Sequence, residues 1–150
     1  MISYSQRDPR WSDEKLGSSP LTIGRFGCTM TCIADLSTYF IEDPRAYYNP
    51  HDLNKIIKFT PEGLIVWQSC NFREFVFDSR VYGRNDEQIK AALKDPNRAV
   101  ILQVANASHW VVALSWNLLG LRIADPWLGD KTSISRYKND ITGAAYFRRR

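Results

Sequence analysis

The sequence predicts an α+β domain, and three observations carry that reading. Apolar and small residues recur at helical spacing early in the chain, at Met30, Ile33, Ala34, Ser37 and Phe40. After Ala99 the period shortens into brief β-rich runs. Helices first and neighbouring strands second is the pattern of an antiparallel sheet with helices kept apart from it. Size agrees with one domain: a chain of 150 residues buries roughly 70% of the surface its unfolded form exposes. Its 44% hydrophobic content supplies a normal core and excludes a disordered chain. The domain is therefore read as residues 1–150, with Arg148, Arg149 and Arg150 as a basic tail.

Each element follows from local signals. Residues 4–26 read as irregular, because Pro9, Gly17, Pro20 and Gly24 interrupt any period. A helix starts near Cys28 and ends before Pro44. A second, short helix is marked by Asn49 as cap, Pro50 in the first turn and Asp52 at the positive end, with Leu53, Ile56 and Ile57 as its stripe. A third follows Asn85, with Gln88 three residues on as in a capping box; Ile89, Ala92 and Leu93 form its stripe and Pro96 ends it. Strands are expected over Ala99–Val104, His109–Trp116 and Leu121–Asp125, the last stopped by Pro126. The middle run is apolar on both faces, which predicts a central strand. Tyr146-Phe147 is expected to close the sheet.

Composition excludes several classes. With 8 Gly and 7 Pro the chain is neither collagen-like nor a linker. No apolar run reaches the roughly 20 residues of a membrane helix. The polar start Met1-Ile2-Ser3-Tyr4-Ser5-Gln6 shows no signal peptide, so a cytoplasmic place is expected. The charge of +4 comes mostly from the three terminal arginines. No clustered basic face remains, so nucleic acid is not the expected partner. Three cysteines, an odd number, argue against a disulfide framework and suit a reducing compartment. A zinc site from Cys28, Cys32, Cys70 and a histidine lacks a second closely spaced ligand pair, so neither metal nor cofactor is expected.

Four residues stand out for chemistry. Cys28 follows Gly27 where the first long helix begins, and unpaired N–H groups and the helix dipole there favour a thiolate. Cys32, one turn on, and Cys70 read as packing. His109 opens the central strand after Asn106-Ala107-Ser108, a rigid seat for a general base. His51 reads as solvated. Asp125 ends the next strand, where a carboxylate can orient an imidazole and stabilise its protonated form. For His109 and Asp125 to share a face, the hairpin between them needs an odd loop or a bulge near Asn117 to Gly120; a regular two-residue loop fails. Gln6 offers a side-chain amide as oxyanion donor.

Glutamine, Gly-Cys at a helix start, histidine at a strand start and an acid on the following strand form an order found in papain-like thiol hydrolases. Four segments carry a closer likeness. They are Tyr4-Ser5-Gln6-Arg7-Asp8-Pro9-Arg10-Trp11, Thr22-Ile23-Gly24-Arg25-Phe26-Gly27-Cys28, Ser108-His109-Trp110-Val111-Val112-Ala113-Leu114 and Ala124-Asp125-Pro126-Trp127. Together they resemble the double-glycine-leader, bacteriocin-processing-type cysteine peptidases and their free-standing relatives. The resemblance implies a papain-like cysteine peptidase fold, Cys28 as nucleophile, His109 as base, Asp125 as orienter and Gln6 in the oxyanion hole. Relatives commonly carry a small residue or Gly-Pro after the cysteine, where this chain has Thr29-Met30.

The expected function is thus a cysteine peptidase or amide hydrolase acting on a peptide or protein substrate. A narrower version is a cell-wall peptide hydrolase of bacterial or phage origin, for which the basic tail suits anionic polymers. The alternatives are an acyltransferase on the same fold and a catalytically silent peptide-binding module. Trp11, Trp110 and Trp127 flank three of the four segments, as walls of a cleft or as core, with core favoured for Trp110.

Overall fold

The structure, a computed structural model, describes residues 1–150. Two of its helices begin where side chains satisfy backbone donors. At α3 (Pro50–Asn54) Asn49 is the cap the sequence suggests, and Asp52 completes a reciprocal box that was expected at Asn85 and Gln88 instead. At α4 (Asp86–Lys94) the Asn85 side chain accepts from Gln88 N at 3.1 Å. Two helices precede them: α1 (Ile23–Phe26), one turn inside the stretch expected to be irregular, and α2 (Cys28–Phe40). The expected stripe of α3 is cut short. The helix ends at Asn54, so Ile56 lies in the following turn and is exposed, while Leu53 and Ile57 are buried.

Six strands form one sheet: β1 (Phe75–Tyr82), β2 (Arg98–Val104), β3 (His109–Asn117), β4 (Gly120–Asp125), β5 (Asp130–Ser133) and β6 (Ile141–Arg149). They lie in the order β1-β6-β2-β3-β4-β5, every pair antiparallel. The class is α+β. Alternation along β3 explains its double apolar character. Trp110 and Val112 join the larger core with Met30, Ile33 and Leu36 of α2, and Val111 and Ala113 join a second core with Ile89 and Ala92 of α4. Each fully buried Val, Leu, Ile or Met among them contributes about 1.5–3 kcal/mol. No helix is long and apolar enough to cross a membrane.

Two strands correct the sequence reading. Tyr146 and Phe147 do not close the sheet. They belong to β6, which runs between β1 and β2 as an interior strand. Its Gly143 masks the strand signal; a Cβ there would stand 2.6 Å from Arg80 Nη1, the end of a flexible side chain, and 3.0 Å from Val81 O. β1 was also unforeseen: a bulge at Asp78, between Phe77 and Ser79, breaks its alternation. The C-terminal arginines are not a tail either. Arg148 and Arg149 end β6, Arg149 donates to Phe40 O at 2.8 Å, and Arg150 donates to Phe72 O at 2.8 Å.

Candidate active site

Cys28 is the first residue of α2 and is partly exposed. Gly27 before it is the helix cap, and no side chain caps the first turn, so the leading N–H groups stay open. Gly27 is required by its own chain. A Cβ there would lie 2.6 Å from Ile23 O, because α1 folds back and Gly27 N donates to that carbonyl at 2.8 Å. The two turns together hold the sulfur at the mouth of the helix.

His109 and Asp125 meet through a bulge. The loop between β3 and β4 is the regular two-residue kind, with Asn117 opposite Gly120. The compensating extra residue is Leu114, since the register shifts between Ala113 and Ser115. A bulge was expected near the loop; it sits inside the strand instead, and it restores the parity that puts both side chains on one face. His109 Nε2 then donates to Asp125 Oδ1 at 2.8 Å. A carboxylate only accepts, so Nε2 carries a proton and Nδ1 is the ring atom left for Cys28.

The connection before His109 is strained. Ala105, Asn106 and Ala107 all have positive φ, at 54°, 53° and 65°, a conformation that costs an alanine about 1–2 kcal/mol and an asparagine less. It is held from outside. Asn106 N donates to Asp140 Oδ2 at 2.6 Å, and Gln103 Nε2 donates to Ala107 O at 3.3 Å. The strand therefore starts with His109 in a fixed seat.

Asp125 is wholly buried and accepts four hydrogen bonds. Besides His109, the donors are Trp127 N at 3.0 Å, Arg136 Nη1 at 3.0 Å and the Tyr137 hydroxyl. Burial pushes the carboxyl up, but these donors outweigh it and hold Asp125 well below the usual carboxylate range. His109 answers in the opposite sense. Burial disfavours its charged form, yet hydrogen bonding to Asp125 and Cys28 and their negative charge raise it to about 9. Arg136 bridges Asp125 and Asp130, each at about 3 Å or less. Neither Arg136 nor Tyr137 was visible as a site residue in the sequence. They arrive on a 3-10 turn, Ile134–Tyr137, that nothing in the local pattern ties to Asp125.

Gln6 is fully buried beside the same corner. Its backbone N donates to Pro126 O at 2.8 Å, which ties it to the residue after Asp125. One amide hydrogen goes from Nε2 to Gly24 O at 3.3 Å, and Oε1 has no partner. The segment carrying Gln6 is strapped to α2: Ile2 N donates to Thr38 Oγ1 and Tyr4 N to Asp35 Oδ1, both at 2.8 Å. Asp35 is buried, and burial pushes its carboxyl well above the ordinary range.

The remaining sequence candidates sort by burial. Cys32 and Cys70 are buried core. Burial raises both thiols, Cys70 to about 12. Trp110 is 8% exposed and packs edge-on against Trp67, so it serves as core and cleft wall together. Trp11 is core, and Trp127 is exposed beneath the Arg7 guanidinium. His51 is not simply solvated. Its Nδ1 donates to Glu14 Oε2 at 2.7 Å while the side chain stays 43% exposed.

A cleft of about 420 Å³ runs up to the chain neighbours of the candidate nucleophile and base, Gly27, Thr29 and Trp110. Comparison with known proteins adds no identity: neither a protein-family model nor a curated protein matches the chain.

Proposed function

We propose that this chain is a papain-like cysteine peptidase whose machinery is Cys28, His109, Asp125 and Gln6. The observation that carries this reading is the meeting of three groups distant in the chain. A partly exposed sulfur at a helix start faces an imidazole whose far nitrogen is held by a buried, four-donor carboxylate. A surface histidine has no need of such a seat.

The chemistry follows. His109, kept as imidazolium by Asp125, holds the proton that Cys28 gives up, and the sulfur attacks a substrate carbonyl. The carbonyl oxygen gains charge and is met by open N–H groups of α2 and the second amide hydrogen of Gln6 Nε2. His109 passes its proton to the departing amine, leaving an acyl-thioester on Cys28. Water, deprotonated by His109, releases the acid. An amine in place of water would make the same enzyme an acyltransferase, and product analysis separates the two. Nothing favours the narrower cell-wall reading, since Arg149 and Arg150 are engaged with Phe40 and Phe72 carbonyls.

Digestion of a peptide library by wild type and by Cys28→Ala tests the proposal. Wild type is expected to release new termini at defined sites, and Cys28→Ala none. Identical digests from the two proteins would end it.

A further inference from the structure

The cleft beside Cys28 is lined mostly by apolar and aromatic side chains, among them Leu64, Trp67, Tyr82 and Trp110. Leu64 and Tyr82 are 66% and 81% exposed, so the mouth of the cleft is an uncovered apolar surface. One charged residue alone lines it, Arg80. Its guanidinium lies over two rings, 4.0 Å from the Tyr82 centroid and 4.8 Å from that of Trp110. Nη1 donates to Val81 O at 2.5 Å and Nη2 to Gln103 Oε1 at 3.1 Å. Gly143 leaves the room beneath it.

Both acceptors are neutral, and no carboxylate pairs with this arginine. Only burial, which disfavours its charge, and Tyr82, which favours it, act on its ionisation. Five N–H donors less two leaves three without a protein acceptor. A planar fork, fixed by two rings and two hydrogen bonds and turned into an apolar cleft, matches a carboxylate better than any other common peptide group. Elsewhere in the molecule the exposed arginines Arg10, Arg45 and Arg84 already hold aspartates. Arg80 is the cleft's own arginine, and it holds no carboxylate of the chain.

We infer that Arg80 is a specificity residue that binds a carboxylate of the peptide lying in this cleft, with apolar substrate side chains on the flanking aromatic wall. This rests on the peptidase reading for the occupant, and on the cleft alone for the charge preference. The carboxylate can come from an Asp or Glu side chain or from a free peptide C-terminus.

Binding to the inert Cys28→Ala protein separates these. Labelled hexapeptides of alanine and leucine carry one Glu walked through each position, each matched with its Gln twin. A further pair ends in the free acid or the amide. At one position, or at the free acid, affinity is expected to exceed that of the neutral twin by about 10-fold or more. In Cys28→Ala/Arg80→Gln the excess vanishes while neutral peptides bind as before. Arg80→Lys, which keeps the charge but not the fork, is expected to fall between. Equal affinity for every acidic and neutral pair overturns the inference, as does an excess that survives Arg80→Gln. Charge-selective binding with no cleavage by wild type removes the peptidase reading and leaves the carboxylate site. Cleavage without charge selection does the reverse.

Discussion

Two histidines each touch one carboxylate at nearly the same distance, and their surroundings make them different objects. His51 Nδ1 meets Glu14 at 2.7 Å with both side chains about a third or more exposed. His109 Nε2 meets Asp125 at 2.8 Å with 12% and 1% exposure. Water competes for the first pair and screens it, and such pairs contribute about 0–1 kcal/mol. In the second, Tyr137, Arg136 and Trp127 N fix the carboxylate as an anion, and the anion fixes the imidazolium. A contact distance alone therefore says little about chemistry. The number of donors behind the carboxylate, and their burial, say more.

Substitutions sharpen this contrast, the largest effect first. Asp125→Asn leaves shape but removes the charge that selects the ring's protonation, so peptide hydrolysis is expected to fall about 10⁴-fold. Glu14→Gln, the matching change at the exposed pair, is expected to leave hydrolysis unchanged. Steady-state rates on one cleaved peptide check both, and equal losses in the two variants would erase the contrast.

Next is pH. His109 is raised from 6.5 to about 9, so its charged form adds stability that is fully present below about pH 6.5. That contribution is lost as pH rises through about 9. The melting-temperature gap between wild type and His109→Gln is expected to close over that interval. The high-pH limb of hydrolysis is expected near 9 as well. A gap that widens above pH 7 would contradict the imidazolium assignment.

Smaller is Tyr137→Phe, which removes one donor from Asp125 and keeps the ring. A hydrogen bond to a charged group is worth about 1.5–3 kcal/mol, read by denaturant unfolding, and the His109 titration in an NMR series is expected to move down. Smallest is His51→Ala, expected within about 0.5 kcal/mol of wild type; a larger loss would show the exposed pair to be structural.

Local rules made much of the scaffold legible and long-range ones did not. The caps at Asn49 and Asn85 act within three residues, and both were readable. The apolar stripe of α2 was readable because its whole buried face lies on one helix. β6 was not, since Gly143, Ala144 and Ala145 lack strand signature; Arg80 and Gln103, far away in the chain, crowd the glycine position. The need for a bulge in the β3–β4 hairpin followed from parity, but its place at Leu114 did not, because any residue between the two side chains restores the register. Cys28, His109, Asp125 and Gln6 were legible as candidates by type and order. Their supports Tyr137, Arg136 and Asp35 act across folds of the chain that carry no mark in local sequence.

The proposed reaction requires His109 to take the proton of Cys28. The direct measurement is the rate of Cys28 carbamidomethylation by iodoacetamide at pH 6, located by peptide mapping, in wild type and in His109→Ala. Rapid labelling in wild type that collapses in the variant is the predicted result; equal rates in the two proteins would contradict it.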